Sequence, residues 1–356
     1  MEPLEDDYFA SRSQRVVQEV ITRLAPNVEA VRFRRMEYSP RGNPGWRDIK
    51  LSVYKDNLDP STSVRRLEIH TRGSREPILA KEFESWYKHV DFSLLHTLDL
   101  GSPLETAAQV CLTQCSLPCL RSLTFNFIGV GPTKSPFARP FLMSLPSLSE
   151  LAIRGVWNLR DMTTVYQKHG ASLHKLRFNL MFQAGTEITA SILTEMRDAC
   201  PLLTDLELNI MRDQGSLTET RIYKTLATFP ILRHLILYLG CRNYGRAREH
   251  GRMPRYDDLD RRRSDRYGDI RRTFIDQAID ENLAATIFRL VSPPDNVRGL
   301  KELVLGGNPN NPYGTRSSTY AVVSHICRSW KIQRGVQDDR PGEVVIQEVT
   351  ADISMK

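Results

Sequence analysis

Apolar residues recur along this chain in a fixed phrase, apolar-x-x-apolar-x-apolar, that occurs nine times. The copies start at Val28, Val64, Leu95, Leu120, Leu148, Leu173, Leu203, Leu232 and Leu300, at spacings of 36, 31, 25, 28, 25, 30, 29 and 68 residues. Positions four and six have strand spacing, so both side chains point to one face of an extended segment. Between the phrases the period changes to that of a helix. Val16, Val17, Val20, Ile21 and Leu24 form one apolar face; Ile192, Leu193 and Met196 form another; Ile222, Leu226 and Phe229 form a third. A further helix is predicted from Phe274 to Leu290, with Ile275, Ala278, Ile279, Leu283, Ile287 and Leu290 inward. Strand and helix in regular alternation predict a stacked-repeat α/β protein.

Proline punctuates the joints. Pro26, Pro118, Pro146, Pro201 and Pro230 each stand two residues before the first apolar position of a phrase. Proline cannot continue a helix and drives the residue before it toward extended geometry, so each ends a helix and feeds a strand.

These units resemble leucine-rich repeats, and the irregular, helix-backed form with Pro-x-Leu-x-x-Leu-x-Leu joints resembles the repeat region of fungal F-box proteins. The resemblance implies an α/β leucine-rich repeat solenoid, with a curved parallel sheet on the concave side and helices on the convex side. It covers roughly residues 12–310, after an acidic tail at 1–11 and before a C-terminal cap helix and tail at 311–356. It departs from the shorter leucine-rich units, because Asn126, Asn179 and Asn209 follow only some of the phrases.

The F-box module that docks on a ligase adaptor has no counterpart ahead of the repeats. The helix at about 13–24 runs through Pro26 into the first phrase, so the chain is expected to start inside the solenoid. SHICRSW at 324–330 resembles the close of an F-box module, but no Leu-Pro-x-Glu helix precedes it; it is expected to be a helix with Ile326 and Trp330 buried. Val344–Val349 is expected as either a closing strand or part of a loose tail.

On the solenoid reading, phrase positions three, five and seven line the concave face. The protein-binding candidates there are Arg32, Arg66, Glu68, His70, Asp99, Arg154, Lys175, Arg177, Asp205, Glu207, His234, Ile236 and Tyr238. No row carries one sign of charge throughout, which suits a folded protein or peptide better than a continuous phosphate path. His234, Ile236 and Tyr238 form the most interface-like set.

The chain has 356 residues and a net charge of +7, and its distribution matters more than its size. Residues 241–272 hold eleven arginines against six acids and almost no aliphatic side chains. This Arg-rich insert, with the run Arg261, Arg262 and Arg263, cannot bury a core. A solvated loop, a docking element for an acidic partner and a nucleic-acid contact all stay open for it.

Six cysteines in so long a chain do not make a disulfide framework, and Cys111, Cys115 and Cys119 lack an evident fourth metal ligand. The eight histidines fall in no metal spacing, and neither a nucleophile elbow nor a phosphate-binding glycine loop occurs. No catalytic, cofactor-binding or metal residue is therefore assigned, and an enzyme is not expected. With neither a signal peptide nor an apolar run long enough to span a bilayer, the expected setting is the cytoplasm or nucleus, away from membranes.

The function expected is non-enzymatic protein recognition on the concave face, as the substrate-binding part of an F-box-type ubiquitin ligase receptor. A ligase adaptor is an expected partner only if an F-box is supplied upstream. A ligase-independent scaffold or adaptor is the alternative, and a nucleic-acid-associated factor acting through the insert is a more remote one.

Overall fold

A computed structural model describes residues 28–35, 50–52, 64–71, 77–126, 138–155, 159–180, 187–241, 275, 278–293, 299–307, 328–334 and 344–349. The expected N-terminal tail and first helix, the Arg-rich insert beyond Cys241 and residues 324–327 lie outside the described residues. The chain is mixed α/β and divides into two units, at residues 1–157 and 158–356.

In the first unit the strands are β1 (Ala30–Arg35), β2 (Lys50–Ser52), β3 (Arg66–Thr71), β4 (Thr97–Pro103), β5 (Ser122–Asn126) and β6 (Glu150–Gly155). β1 pairs in parallel with β3, and β3, β4, β5 and β6 follow in parallel order; β2 pairs antiparallel on the other side of β1. Among the described residues three α-helices intervene, α1 (Ala80–His89), α2 (Thr106–Gln114) and α3 (Ala138–Ser144), and consecutive ones pack together.

The second unit repeats the scheme. It contains α4 (Leu159–His169), β7 (Lys175–Leu180), α5 (Ala190–Ala199), β8 (Asp205–Arg212), α6 (Leu217–Leu226), β9 (His234–Cys241), α7 (Glu281–Val291) and β10 (Glu302–Gly307). β7 to β10 are parallel in chain order. Two antiparallel strands, β11 (Ser329–Arg334) and β12 (Val344–Val349), then extend the sheet.

The nine-fold phrase maps onto this architecture position by position. Positions one, four and six are buried in every copy, from Val28, Val31 and Phe33 to Leu300, Leu303 and Leu305. Position six faces the helices: Phe33 meets Trp86 of α1 edge-on, and Phe125 meets Phe141 of α3. The side chains that alternate with positions four and six therefore lie on the opposite, strand-only face.

Backbone bonding sets the register. The carbonyl of position two accepts from two successive N–H groups of the next copy: Glu29 from Arg65 and Arg66, Arg65 from His96 and Thr97, His96 from Arg121 and Ser122. In the second unit His174, Thr204 and Arg233 repeat this. Each copy is thus held level with its neighbour, and equivalent side chains stack in rows.

Helix ends follow local chemistry. Glu82 reaches back to the Leu79 N–H at 3.0 Å, and Thr189, Ser216 and Asp280 cap α5, α6 and α7 with side-chain oxygens. The Asp280 cap also corrects the helix expected from Phe274. Ala278, Ile279 and Asp280 are not helical and α7 begins at Glu281, because Asp280 Oδ1 takes the Leu283 N–H at 2.7 Å.

Trp330 is likewise not helical. It is buried on β11, and its indole N–H donates to the Ile279 carbonyl at 2.8 Å. The 329–334 segment alternates inward Trp330 and Ile332 with outward Lys331 and Gln333, a strand period. Among the described residues, no helix is long and apolar enough to cross a membrane.

Candidate functional site

In the first unit the strand-only face gathers six of the expected residues, Arg32, Arg66, Glu68, His70, Asp99 and Arg154. Register places Arg32 beside Glu68 and Glu68 beside Asp99, with Arg66 two residues before Glu68 on the same strand face. Arg32 donates through Nε and Nη2 to the two Glu68 oxygens, the second bond at 3.0 Å, while Arg66 Nε donates to Glu68 Oε1 at 2.7 Å. Glu68 is only 4% exposed, whereas about half of each guanidinium side chain is open to solvent. The acid is the buried anchor and the bases are the surface.

His70 stands at the end of this group. Its Nε2 lies 3.7 Å from Asp99 Oδ2 and 3.9 Å from Glu68 Oε2. The ring occupies the space over Gly101, where an added Cβ would come within 2.2 Å of His70 Nδ1. A glycine at position seven of the phrase, on β4, is what lets the imidazole lie between the two acids. Asp99 Oδ1 is buried with no hydrogen-bond partner. Arg154 on β6 is close enough to act on the Asp99 charge.

The charges respond to these surroundings in opposite directions. Burial pushes the Glu68 carboxyl up, but the Arg32 hydrogen bond and the charges of Arg66 and Arg32 outweigh it and hold Glu68 below the usual carboxylate range. Asp99 is raised, chiefly by burial and further by Glu68, with His70 opposing. The Glu68 hydrogen bond raises Arg32.

Glu68, His70 and Asp99 each offer a ligand atom within 4.8 Å of one another, a spacing open to a divalent cation. Both Glu68 oxygens already accept guanidinium N–H groups, so a cation would have to displace Arg32 or share the carboxylate with Arg32 and Arg66. As built, the cluster is an ion-pair network.

The second unit builds smaller ionic groups on the equivalent face. Arg177 Nε lies 3.5 Å from Glu207, His234 Nδ1 lies 3.2 Å from Asp205, and Lys331 Nζ lies 3.0 Å from Glu302. Lys175 is half-buried in the same row, in register with Asp205. Asn209 donates to Asn179 at 3.4 Å, both side chains buried.

Of the interface-like set, His234 is exposed and Ile236 half-buried, but Tyr238 is only 3% exposed and so differs from expectation. Its neighbours in register, Asn209 and Gly306, are buried in the same row. Arg261, Arg262 and Arg263 lie outside the described residues.

Lys331 and Gln333 complete the Glu302 group and were not among the sequence candidates. The two-residue alternation of SWKIQR was the signal that could have found them, but it lies outside the repeated phrase. In comparisons with known proteins, no protein-family model and no curated protein matches this chain.

Proposed function

We propose that this chain is a leucine-rich repeat solenoid that recognises a protein partner with its strand-only face and catalyses no reaction. The observation that carries this reading is the division of labour within the phrase. Three positions in each copy are buried, while several of the intervening ones are held in register by ion pairs. Rows of this kind offer a partner many weak, geometrically fixed contacts, which confer specificity more than raw affinity.

The Pro-x-Leu joints support a setting like that of the fungal F-box proteins they resemble. There the chain would select substrates for a ubiquitin ligase in the cytoplasm or nucleus, engaging a ligase adaptor only through an F-box supplied upstream. The same face would serve a ligase-independent scaffold equally well.

The test is site-specific photo-crosslinking in cells. A crosslinker at Thr124 or His234, on the strand face, is expected to trap protein adducts that a crosslinker at Lys81 or Lys224, exposed on α1 and α6, does not. Adducts confined to the helix positions overturn the reading. Recovery of ligase subunits with the adducts separates the receptor from the scaffold.

A further inference from the structure

The two ions that Glu68 orients are both cationic and both outward, and this gives the partner a sign. Arg32 spends Nε and Nη2 on Glu68, and Arg66 spends only Nε. Arg32 Nη1 and both Nη groups of Arg66 have no acceptor among the described residues. With Arg32 and Arg66 about half exposed and Glu68 nearly sealed, the surface over β1 and β3 presents guanidinium donors above a hidden counter-charge.

Such a pair is pre-organised. The buried carboxylate fixes each fork, so a ligand carboxylate meets donors already in place and loses less to side-chain ordering. Resting on the recognition reading above, we propose that the partner presents an acidic peptide segment, rich in Asp or Glu, to Arg32 and Arg66 on this face.

Charge complementarity commits the site to that occupant. A basic or apolar segment would bury these guanidiniums against nothing that accepts from them, at a cost that unpaired charges always carry. The other acids on the face are already engaged: Glu150 accepts from Ser122 Oγ at 3.2 Å, and Asp99 is flanked by His70 and Arg154. They leave the β1–β3 end as the place where outward donors predominate.

The experiment uses the full chain and a fluorescein-labelled Glu-Ser-Gly peptide, followed by anisotropy at low salt, with the Gln-Ser-Gly peptide as its neutral counterpart. The acidic peptide is expected to bind and the neutral one not. Arg66→Ala is expected to weaken binding by about tenfold to a hundredfold, the loss of a charge-assisted contact. Arg66→Lys should recover only part of it, since a point charge lacks the fork. Lys81→Ala, on α1 of the same unit, should change nothing.

Thermal melts establish that each variant is folded. Should Arg66→Ala fail to fold, Arg66→Lys and Arg32→Lys supply the comparison. No binding of the acidic peptide to the wild-type chain overturns the proposal, as does equal loss with Lys81→Ala. A single-stranded oligonucleotide that binds more tightly than the peptide through the same arginines also overturns it, in favour of a nucleic-acid surface. Crosslinked adducts at His234, in the other unit, would survive any of these results if protein recognition itself is right.

Discussion

Among the described polar groups, Glu219 is one whose removal should be costly. It is 2% exposed on α6, in the turn after β8. One carboxylate oxygen accepts the backbone N–H of Asp213 at 2.7 Å and of Gly215 at 2.8 Å. The other accepts the Tyr223 hydroxyl at 2.7 Å and lies 3.6 Å from Arg212 Nε. Arg212 in turn donates to the carbonyls of Ile275 and Ala278, both at 3.3 Å, and so ties β8 to the chain that follows the basic insert.

Glu219→Ala strips partners from two backbone amides and the buried Tyr223 hydroxyl and leaves the Arg212 charge at 6% exposure. Breaking one side of a buried ion pair costs about 3–5 kcal/mol. Glu219→Gln keeps the shape and one acceptor and should cost about 2 kcal/mol. A urea titration measures both, and amide exchange at Asp213 and Gly215 should accelerate in the Ala variant alone. A loss under about 1 kcal/mol for Glu219→Ala, with both amides still protected, would refute the assignment of this carboxylate as the anchor of the turn.

Three further outcomes follow from single observations. Gly170→Ala would set a Cβ 2.3 Å from the Ala199 carbonyl oxygen and 3.0 Å from Cys200 Sγ; a backbone atom cannot swing aside, so calorimetry should show a loss of about 1–3 kcal/mol. Burial pushes the Cys200 and Cys115 thiols up to about 12; iodoacetamide at mildly alkaline pH should label neither until the chain is unfolded, and rapid native labelling of Cys200 would contradict its burial. Glu68 is held below its unfolded value, so its contribution is present above the ordinary carboxylate pKa and lost as pH falls through the folded one; Asp99, raised by burial, acts in the opposite sense. Glu68→Gln should therefore flatten the acid limb of the stability profile, and Asp99→Asn should stabilise the protein at neutral pH.

The core was legible because burial in a repeated strand obeys a rigid period. All nine phrases place their first, fourth and sixth residues inside, and Pro118, Pro146, Pro201 and Pro230 each follow the end of a helix. What escaped the period was structure made by single events. β2, β11 and β12 carry no phrase, and the start of α7 was set by one capping aspartate, not by the apolar face upstream of it. The Glu219 network left only a faint trace, a Ser216-x-x-Glu219 capping box behind a turn at Gln214 and Gly215, where φ is positive. Nothing in those letters says that the carboxylate would turn back to bind the turn instead of the cap.

The candidate face shows the same limit in another form. Read as letters, Arg32, Arg66, Glu68, Asp99, Asp205, Glu207 and Arg177 make a face of mixed sign. In the folded chain depth separates the signs within the Arg–Glu pairs: the Glu68 and Glu207 side chains are 5% and 11% exposed, and their partners Arg32, Arg66 and Arg177 are 49%, 56% and 36% exposed. The cause is side-chain length. A glutamate on a flat strand row cannot rise above its neighbours, whereas an arginine carries its charge on a longer stem and can arch over the carboxylate it pairs with. Wherever register sets Arg beside Glu on this face, the acid becomes the floor and the base becomes the surface. The charge these pairs show to solvent is accordingly more positive than their composition, and it is set by strand register, which the linear sequence does not display.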